Sequence, residues 1–372
     1  MARHFPNVPN LRFPGFEGEW DKLKVRDFTR VVAGATPATD KKEYWGGVIR
    51  WMNSGELNLK RVYEVQGRIT QLGYDKTSTK IIPPHSVLIG LAGQGKTRGT
   101  AAMNYVELCT NQSIASILPS DSFYSEFLYQ NVESRYKELR DISSGDGGRG
   151  GLNLQMIYNL YIPHCSMQEQ KKIGDFLYLL DQRIAIQNKV IEKYESLIKA
   201  LCQILITSPN GTVCHIGDVL KIGSGKDHKH LNIGTIPVFG TGGYMLSVND
   251  WLYEGESVCI GRKGTIDNPF FVDGKFWTVD TLFYTYDFNG VLPKFCYYLF
   301  RTINWLQYNE ASGVPSLSKS TIERIQIRIP CMDEQAKAVQ VLDGVEMEIT
   351  CRRKLLNLYK SIKQYLISQL FI

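Results

Sequence analysis

Between residues 173 and 205 the apolar side chains recur at strictly alternating steps of four and three. Positions Ile173, Leu177, Leu180, Ile184, Gln187, Ile191, Tyr194, Ile198, Leu201 and Leu205 form this stripe, and only Gln187 breaks its apolar character. A second stripe lies 165 residues further on, at Ala338, Leu342, Val345, Ile349, Arg352, Leu356, Tyr359, Lys363, Leu366 and Leu370. Arg352 and Lys363 interrupt that one. A 3.5-residue period held over five heptads predicts coiled-coil helices rather than two separate core helices. Pro163 and Pro330 precede the helices, and acidic or amide residues (Gln168-Glu169-Gln170 and Asp333-Glu334-Gln335) fill the first turns. Ser208-Pro209-Asn210-Gly211 stops the first helix. The second runs to the end of the sequence.

The two stripes belong to a longer repeat. From Glu169-Gln170 and Glu334-Gln335 onward the register is gapless, and upstream Ser86-Val-Leu-Ile-Gly90 recurs as Ser257-Val-Cys-Ile-Gly261. The order of elements is the same in both halves, so the chain is two diverged copies of one domain-plus-helix unit. The intervening stretches are rich in Gly, Tyr, Phe, Trp and Thr. They carry short β-like runs at 86–89, 113–118, 257–260 and 283–286, and helical stretches near 125–139 and 293–304. The expected fold class is α+β. Two mixed α/β domains at residues 1–162 and 209–330 alternate with long helices at 163–208 and 331–372. The helices pair as an antiparallel intramolecular coiled coil with pseudo-twofold symmetry.

Composition refines this picture only a little. With 43 Lys+Arg against 37 Asp+Glu the formal charge is +6, which permits nucleic-acid binding without the strong basicity of a small DNA-binding domain. No stretch approaches the ~18 consecutive apolar residues of a membrane helix, and the N-terminal residues lack the apolar core of a signal peptide. The eight cysteines form no Cys-x-x-Cys pair, so neither a zinc ribbon nor a disulfide framework is expected, and a reduced cytoplasm is the plain reading.

Three motifs imitate catalytic chemistry. Gly90-Leu-Ala-Gly-Gln-Gly-Lys96-Thr97 is a literal phosphate-binding loop, but Gly99 and β-branched Thr100 follow where a helix must open. Its counterpart in the second copy, Gly261-Arg-Lys-Gly264, keeps glycines and cations and loses the pattern. A Gly-rich hairpin that carries cations toward a polyanion is expected instead. Asp267-Asn-Pro-Phe-Phe271 approaches the motif that holds a target adenine in amino-methyltransferases, but it lacks the second proline and any upstream S-adenosylmethionine element. Phe176-Leu-Tyr-Leu-Leu-Asp181 looks like a Walker B strand and lies inside the helical stripe, where Asp181 is expected as a flank residue. The pairs His164-Cys165, Cys214-His215 and His228-Lys-His230 lack further ligands at metal-site spacing. No catalytic residues and no metal site are expected.

The sequence resembles the specificity subunits of bacterial and archaeal type I restriction–modification systems. The resemblance rests on PNLRFPGFEGEWDKLKVRDF, GATPATDKKEYWGGVIRWMNSGEL, GLAGQGKTRGTAA, IGRKGTIDNPFF, SGVPSLSKSTIERIQIRIP and the paired helices that begin with Glu-Gln. It implies two target-recognition domains, each reading half of a bipartite double-stranded DNA site from the major groove. It also implies that the helices set the spacing and dock two modification (adenine methyltransferase) subunits, with restriction subunits completing the complex. S-adenosylmethionine, ATP and magnesium would then lie on the partners, and this chain would catalyse nothing. A helix from 168 to 205 would span ~57 Å at ~1.5 Å per residue, more than the ~34–36 Å of one DNA turn. Candidate DNA contacts are Thr36, Lys41, Lys42, Gln94, Lys96, Arg98 and Arg149 in the first copy. In the second they are Ser224, Lys226, Lys229, Arg262 and Lys263.

Overall fold

The computed structural model describes residues 7–93, 97–143, 151–206 and 211–372. It divides into two units, Met1–Ile186 with Leu356–Ile372, and Gln187–Leu355. In the first, the main sheet runs Val31–Ala33, Ile114–Ile117, Val87–Gly90, Ala101–Asn104, Arg61–Val62. In the second it runs Lys221–Ser224, Leu282–Tyr286, Ser257–Gly261, Phe270–Val272, the same order without the last strand. Each unit adds a second sheet that contains one parallel pair, Trp45–Met52 with Cys109–Thr110 and Ile233–Gly240 with Lys275–Thr278. A two-stranded ribbon closes each domain just before its long helix, pairing Asp21–Lys24 with Tyr161–His164 and Thr212–His215 with Gln326–Ile329.

The central strands explain why the β-like runs are apolar without alternation. Val87 and Ile89 face one core with Trp20, Phe127 and Ile162, while Leu88 faces another with Met52, Leu57 and Ile82. In the second unit Val258 and Ile260 share a core with Phe295 and Trp305, and Cys259 turns to Val272 and Phe276. A strand buried on both faces needs apolar residues at every position.

The repeat helices are Met167–Ile206, 40 residues, and Met332–Leu370, 39 residues. None of the stripe positions on either is exposed. Inside the first unit the start of one helix meets the end of the other, with Ile173 and Leu177 in a core that includes Leu370 and is flanked by Leu180 and Leu366. Inside the second, Ile198 and Cys202 share a core with Leu342 and Ile349. The segments therefore pair antiparallel within each unit, and the same residues also pack under the domain. Lys363 stays in the stripe because its ammonium reaches Asp181 Oδ1 at 2.6 Å. Arg352 bonds Glu348 one turn back along its own helix.

The Glu-Gln signature that opens each helix has a physical reason. Buried Gln170 donates through Nε2 to the carbonyls of Cys165 (2.9 Å) and Ser122 (3.0 Å), and its Oε1 accepts from the Tyr124 amide at 2.9 Å. Gln335 repeats the pattern, donating to Pro330 (2.9 Å) and Gly290 (3.0 Å) and accepting from Leu292 at 2.8 Å. Tyr124 and Leu292 immediately precede the domain helices Ser125–Ser134 and Pro293–Thr302. One buried side chain thus satisfies backbone groups of both the long helix's leader and the domain helix's entry.

Charges complete each junction with inverted sign. In the second unit the domain helix is basic there, and Lys294 and Arg301 pair with Asp343 and Glu346 on the long helix at 3.3 and 2.6 Å. In the first unit the corresponding residues are Glu126 and Glu133, facing Asp181, the repeat equivalent of Glu346. Arg61 resolves this clash of acids by pairing with both Glu126 and Asp181, the latter at 2.8 Å, and Lys363 supplies a second cation. Asp181, expected as a flank residue, is the carboxylate on which both cations of this junction meet. Burial works against its charge, but Lys363, Gln130 and Arg61 outweigh that and hold the carboxyl below its usual range.

Two outcomes are expected. Gln170→Leu or Gln335→Leu leaves one amide and two carbonyls unpaired, and should cost about 2–4 kcal/mol in urea denaturation of the full chain. A loss below about 0.5 kcal/mol would mean the glutamine bonds are replaceable by water. Because the folded Asp181 carboxyl is depressed, its stabilisation is complete above the ordinary carboxylate value near 4 and disappears as pH falls through the lower folded value. Asp181→Asn should therefore narrow its stability gap to wild type as thermal melts are taken to acid pH.

Candidate nucleic-acid interface

The phosphate-loop look-alike leads into a strand. Val87–Gly90 pairs antiparallel with Ala101–Asn104, and among the described residues between these strands no helix opens to receive a phosphate. Gly90 is needed for a steric reason, since a Cβ there would lie 2.1 Å from the Thr97 carbonyl oxygen. Gly261 has the same role, with a Cβ 2.0 Å from the Thr265 carbonyl oxygen. The methyltransferase look-alike is a turn into the strand Phe270–Val272, and Phe271 is already occupied by the Lys294 ammonium 4.5 Å above its ring. Among the described residues no group of His, Cys, Asp and Glu is arranged to hold a metal ion, and no helix is long and apolar enough to cross a membrane.

In the first unit Thr36 donates through Oγ1 to Gln112 Oε1 at 2.6 Å. Lys41 and Lys42 are exposed at the start of the turn Lys42–Tyr44. Arg98 is half-buried in the turn before Ala101. Gln94, Lys96 and Arg149 lie outside the described residues. In the second unit Lys226 and Lys229 are exposed on the loop after the strand Lys221–Ser224, which is fixed by a 2.8 Å bond from Trp277 Nε1 to the Lys226 carbonyl.

Three sequence candidates converge. Ser224, Arg262 and Lys263 line one cleft of about 600 Å³, together with Glu310, Ser316, Ser318 and Lys319. The Arg262 guanidinium lies 5.9 Å over the Phe283 ring, and both cations are exposed. The hairpin is clipped to the facing loop by backbone bonds from Leu317 to Arg262 (2.9 Å) and from Gly264 to Pro315 (2.8 Å). The first unit makes the first of these clips as well, from Leu152 to Leu91 at 2.9 Å. There Arg262 is replaced by Leu91 and Lys319 by Leu154, so one scaffold carries two unlike surfaces. Lys226 and Lys229 do not line the cleft. Neither Lys319, at the start of the short helix Lys319–Glu323, nor Glu310 ahead of it lies in a periodic stretch, and the segment SGVPSLSKS signals only the lysine.

Comparison with known proteins agrees with this duplicated architecture. The profile of the type I restriction modification DNA specificity domain matches twice, over residues 17–196 and 211–358. The type I restriction enzyme MjaIX specificity subunit of Methanocaldococcus jannaschii is 33% identical over 183 residues, covering 47% of this chain and 41% of that protein. That match therefore spans less than half of the archaeal relative. The EcoprrI specificity subunit of Escherichia coli is 21% identical over 363 residues, 88% of each chain. The crystal structure of a type I restriction-modification system S subunit from M. genitalium superposes with a TM-score of 0.69 at 18% identity, covering 98% of this chain and 99% of the other. With two matches to one profile and one fold built twice, this chain belongs to the type I restriction–modification DNA specificity family.

Proposed function

We propose that the chain is the DNA-reading subunit of a type I restriction–modification assembly, in which each unit reads one half of a bipartite duplex site. The carrying observation is the pair of equivalent scaffolds with different loop chemistry, Arg262 and Lys319 standing where Leu91 and Leu154 stand in the first copy. Equivalent scaffolds suit the antiparallel strands of a duplex, and unlike loops let each unit hold its own half-site in its own way. The long helices set the spacing of the half-sites and dock two modification subunits. Apolar residues on the outer helix faces support the docking role. Leu179, Ile186, Leu358 and Tyr365 are more than half exposed in the first unit, as are Ile204 and Met347 in the second. A spacing of seven residues puts Leu179 with Ile186, and Leu358 with Tyr365, on one face of each helix, and an apolar face of that kind suits a protein partner. S-adenosylmethionine, ATP and magnesium reside on the modification and restriction partners, and this chain supplies no catalytic group.

The reading is tested by mapping methylated adenines in the host genome with and without this chain's gene. Loss of methylation at a motif of two defined blocks, separated by unspecified bases, is the expected result. Methylation that survives the deletion, or a contiguous motif, would refute it. Lys96→Ala gives an independent check. The wild-type chain should bind no ATP in equilibrium dialysis, whereas the variant's DNA complex should lose ~0.9 from its log–log salt slope. Measurable ATP affinity abolished by Lys96→Ala would favour a nucleotide-binding protein instead.

A further inference from the structure

The cleft in the second unit is built in a way its surface residues alone do not reveal. Three cations reach it, Arg262 and Lys263 from the hairpin and Lys319 from the first residue of the short helix Lys319–Glu323 that follows the facing loop. Among the described residues no ion pair takes any of the three, whereas Arg61, Lys294, Arg301 and Lys363 are all paired at the domain–helix junctions. The one carboxylate in the cleft, Glu310, is spent internally. Its Oε1 accepts from Ser318 Oγ at 2.8 Å, from the Ser318 amide at 3.2 Å, and from Thr321 Oγ1. Its own amide donates to the Ser316 carbonyl at 3.0 Å, and Ser316 bridges to Lys263 on the hairpin. Thr321 and Ser318, by hydrogen bonding, hold the Glu310 carboxyl below its ordinary range. The side chain thus ties the loop into one piece beside the hairpin and leaves the three cations without a counterion.

We propose that this cleft grips a backbone phosphate of the second half-site through Arg262, Lys263 and Lys319, with Glu310 as a positioning residue that holds the loop against the hairpin. This deepens the DNA-reading proposal and rests on it. A phosphate is the chemistry that fits: cations from a hairpin and from the start of a short helix converge on one cleft that Ser224 also lines. Glu310 acts through its acceptor oxygen. Its negative charge can only repel the phosphate. The two properties are separable, because glutamine keeps an acceptor carbonyl and drops the charge.

The test uses the full chain co-purified with its modification subunit, and a fluorescein-labelled duplex carrying the mapped site, followed by anisotropy across a salt series. Lys319→Ala and Arg262→Ala should each reduce the log–log salt slope by ~0.9. Glu310→Ala should weaken binding and flatten the slope, while Glu310→Gln should bind at least as tightly as wild type. Thermal melts of each variant separate these effects from unfolding. If the wild-type complex binds and neither Lys319→Ala nor Arg262→Ala changes its slope, the phosphate site is wrong and the DNA-reading proposal stands. If Glu310→Gln is as weak as Glu310→Ala, the assignment of Glu310 as a positioning residue is overturned. A wild-type complex that binds no duplex defeats the DNA-reading proposal itself.

Discussion

Buried backbone groups must find partners, and where each domain meets its long helix a single glutamine provides them. Gln170 and Gln335 each use two donors and one acceptor to tie the carbonyl five residues upstream to the first turn of the domain helix. That bond set fixes where the long helix leaves the domain. The direction of the helix in turn decides which side chains enter the stripe and which form the junction ion pairs. Loss of one such amide would leave several polar groups dry at once, a cost no nearby apolar contact can offset. The two copies have diverged almost everywhere else, including the sign of charge on the domain helix, yet they retain this geometry.

The charge inversion shows how the copies drift without losing the junction. In the second unit a basic domain helix meets an acidic long helix directly. In the first both sides are acidic, and Arg61, delivered from a strand of the main sheet, sits between them, with its guanidinium also 4.4 Å over the Tyr129 ring. These partly buried ion pairs tie each domain helix to its own segment of long helix.

Much of the scaffold was legible in the sequence because it is periodic. The four-three stripe and the 165-residue repeat are local patterns that need no tertiary knowledge, and every stripe position avoids full exposure. The phosphate-loop look-alike could be discounted from Gly99 and Thr100, and the strands on either side of it pair antiparallel. What the sequence hid depends on pairing across distance. Lys363 reads as a flaw in the stripe until Asp181 is seen beside it, and Asp181 reads only as a flank residue until Arg61 arrives from 120 residues away. Among the candidate contacts, Ser224, Arg262 and Lys263 meet in one cleft, but Glu310 sits in an aperiodic loop and Lys319 at the start of the short helix that the loop's hydrogen bonds hold in place. The order of the strands was equally invisible, since runs buried on both faces look alike wherever they lie in a sheet.

The central claim is that one scaffold, used twice, presents two independent reading surfaces. The most direct measurement replaces residues 211–330 with the corresponding domain of another member of the family, keeping Gln335 and both long helices, and maps methylated adenines in cells carrying the chimera. The account predicts a motif in which one half is unchanged and the other takes the donor's sequence. A motif altered in both halves, or in neither, would contradict it.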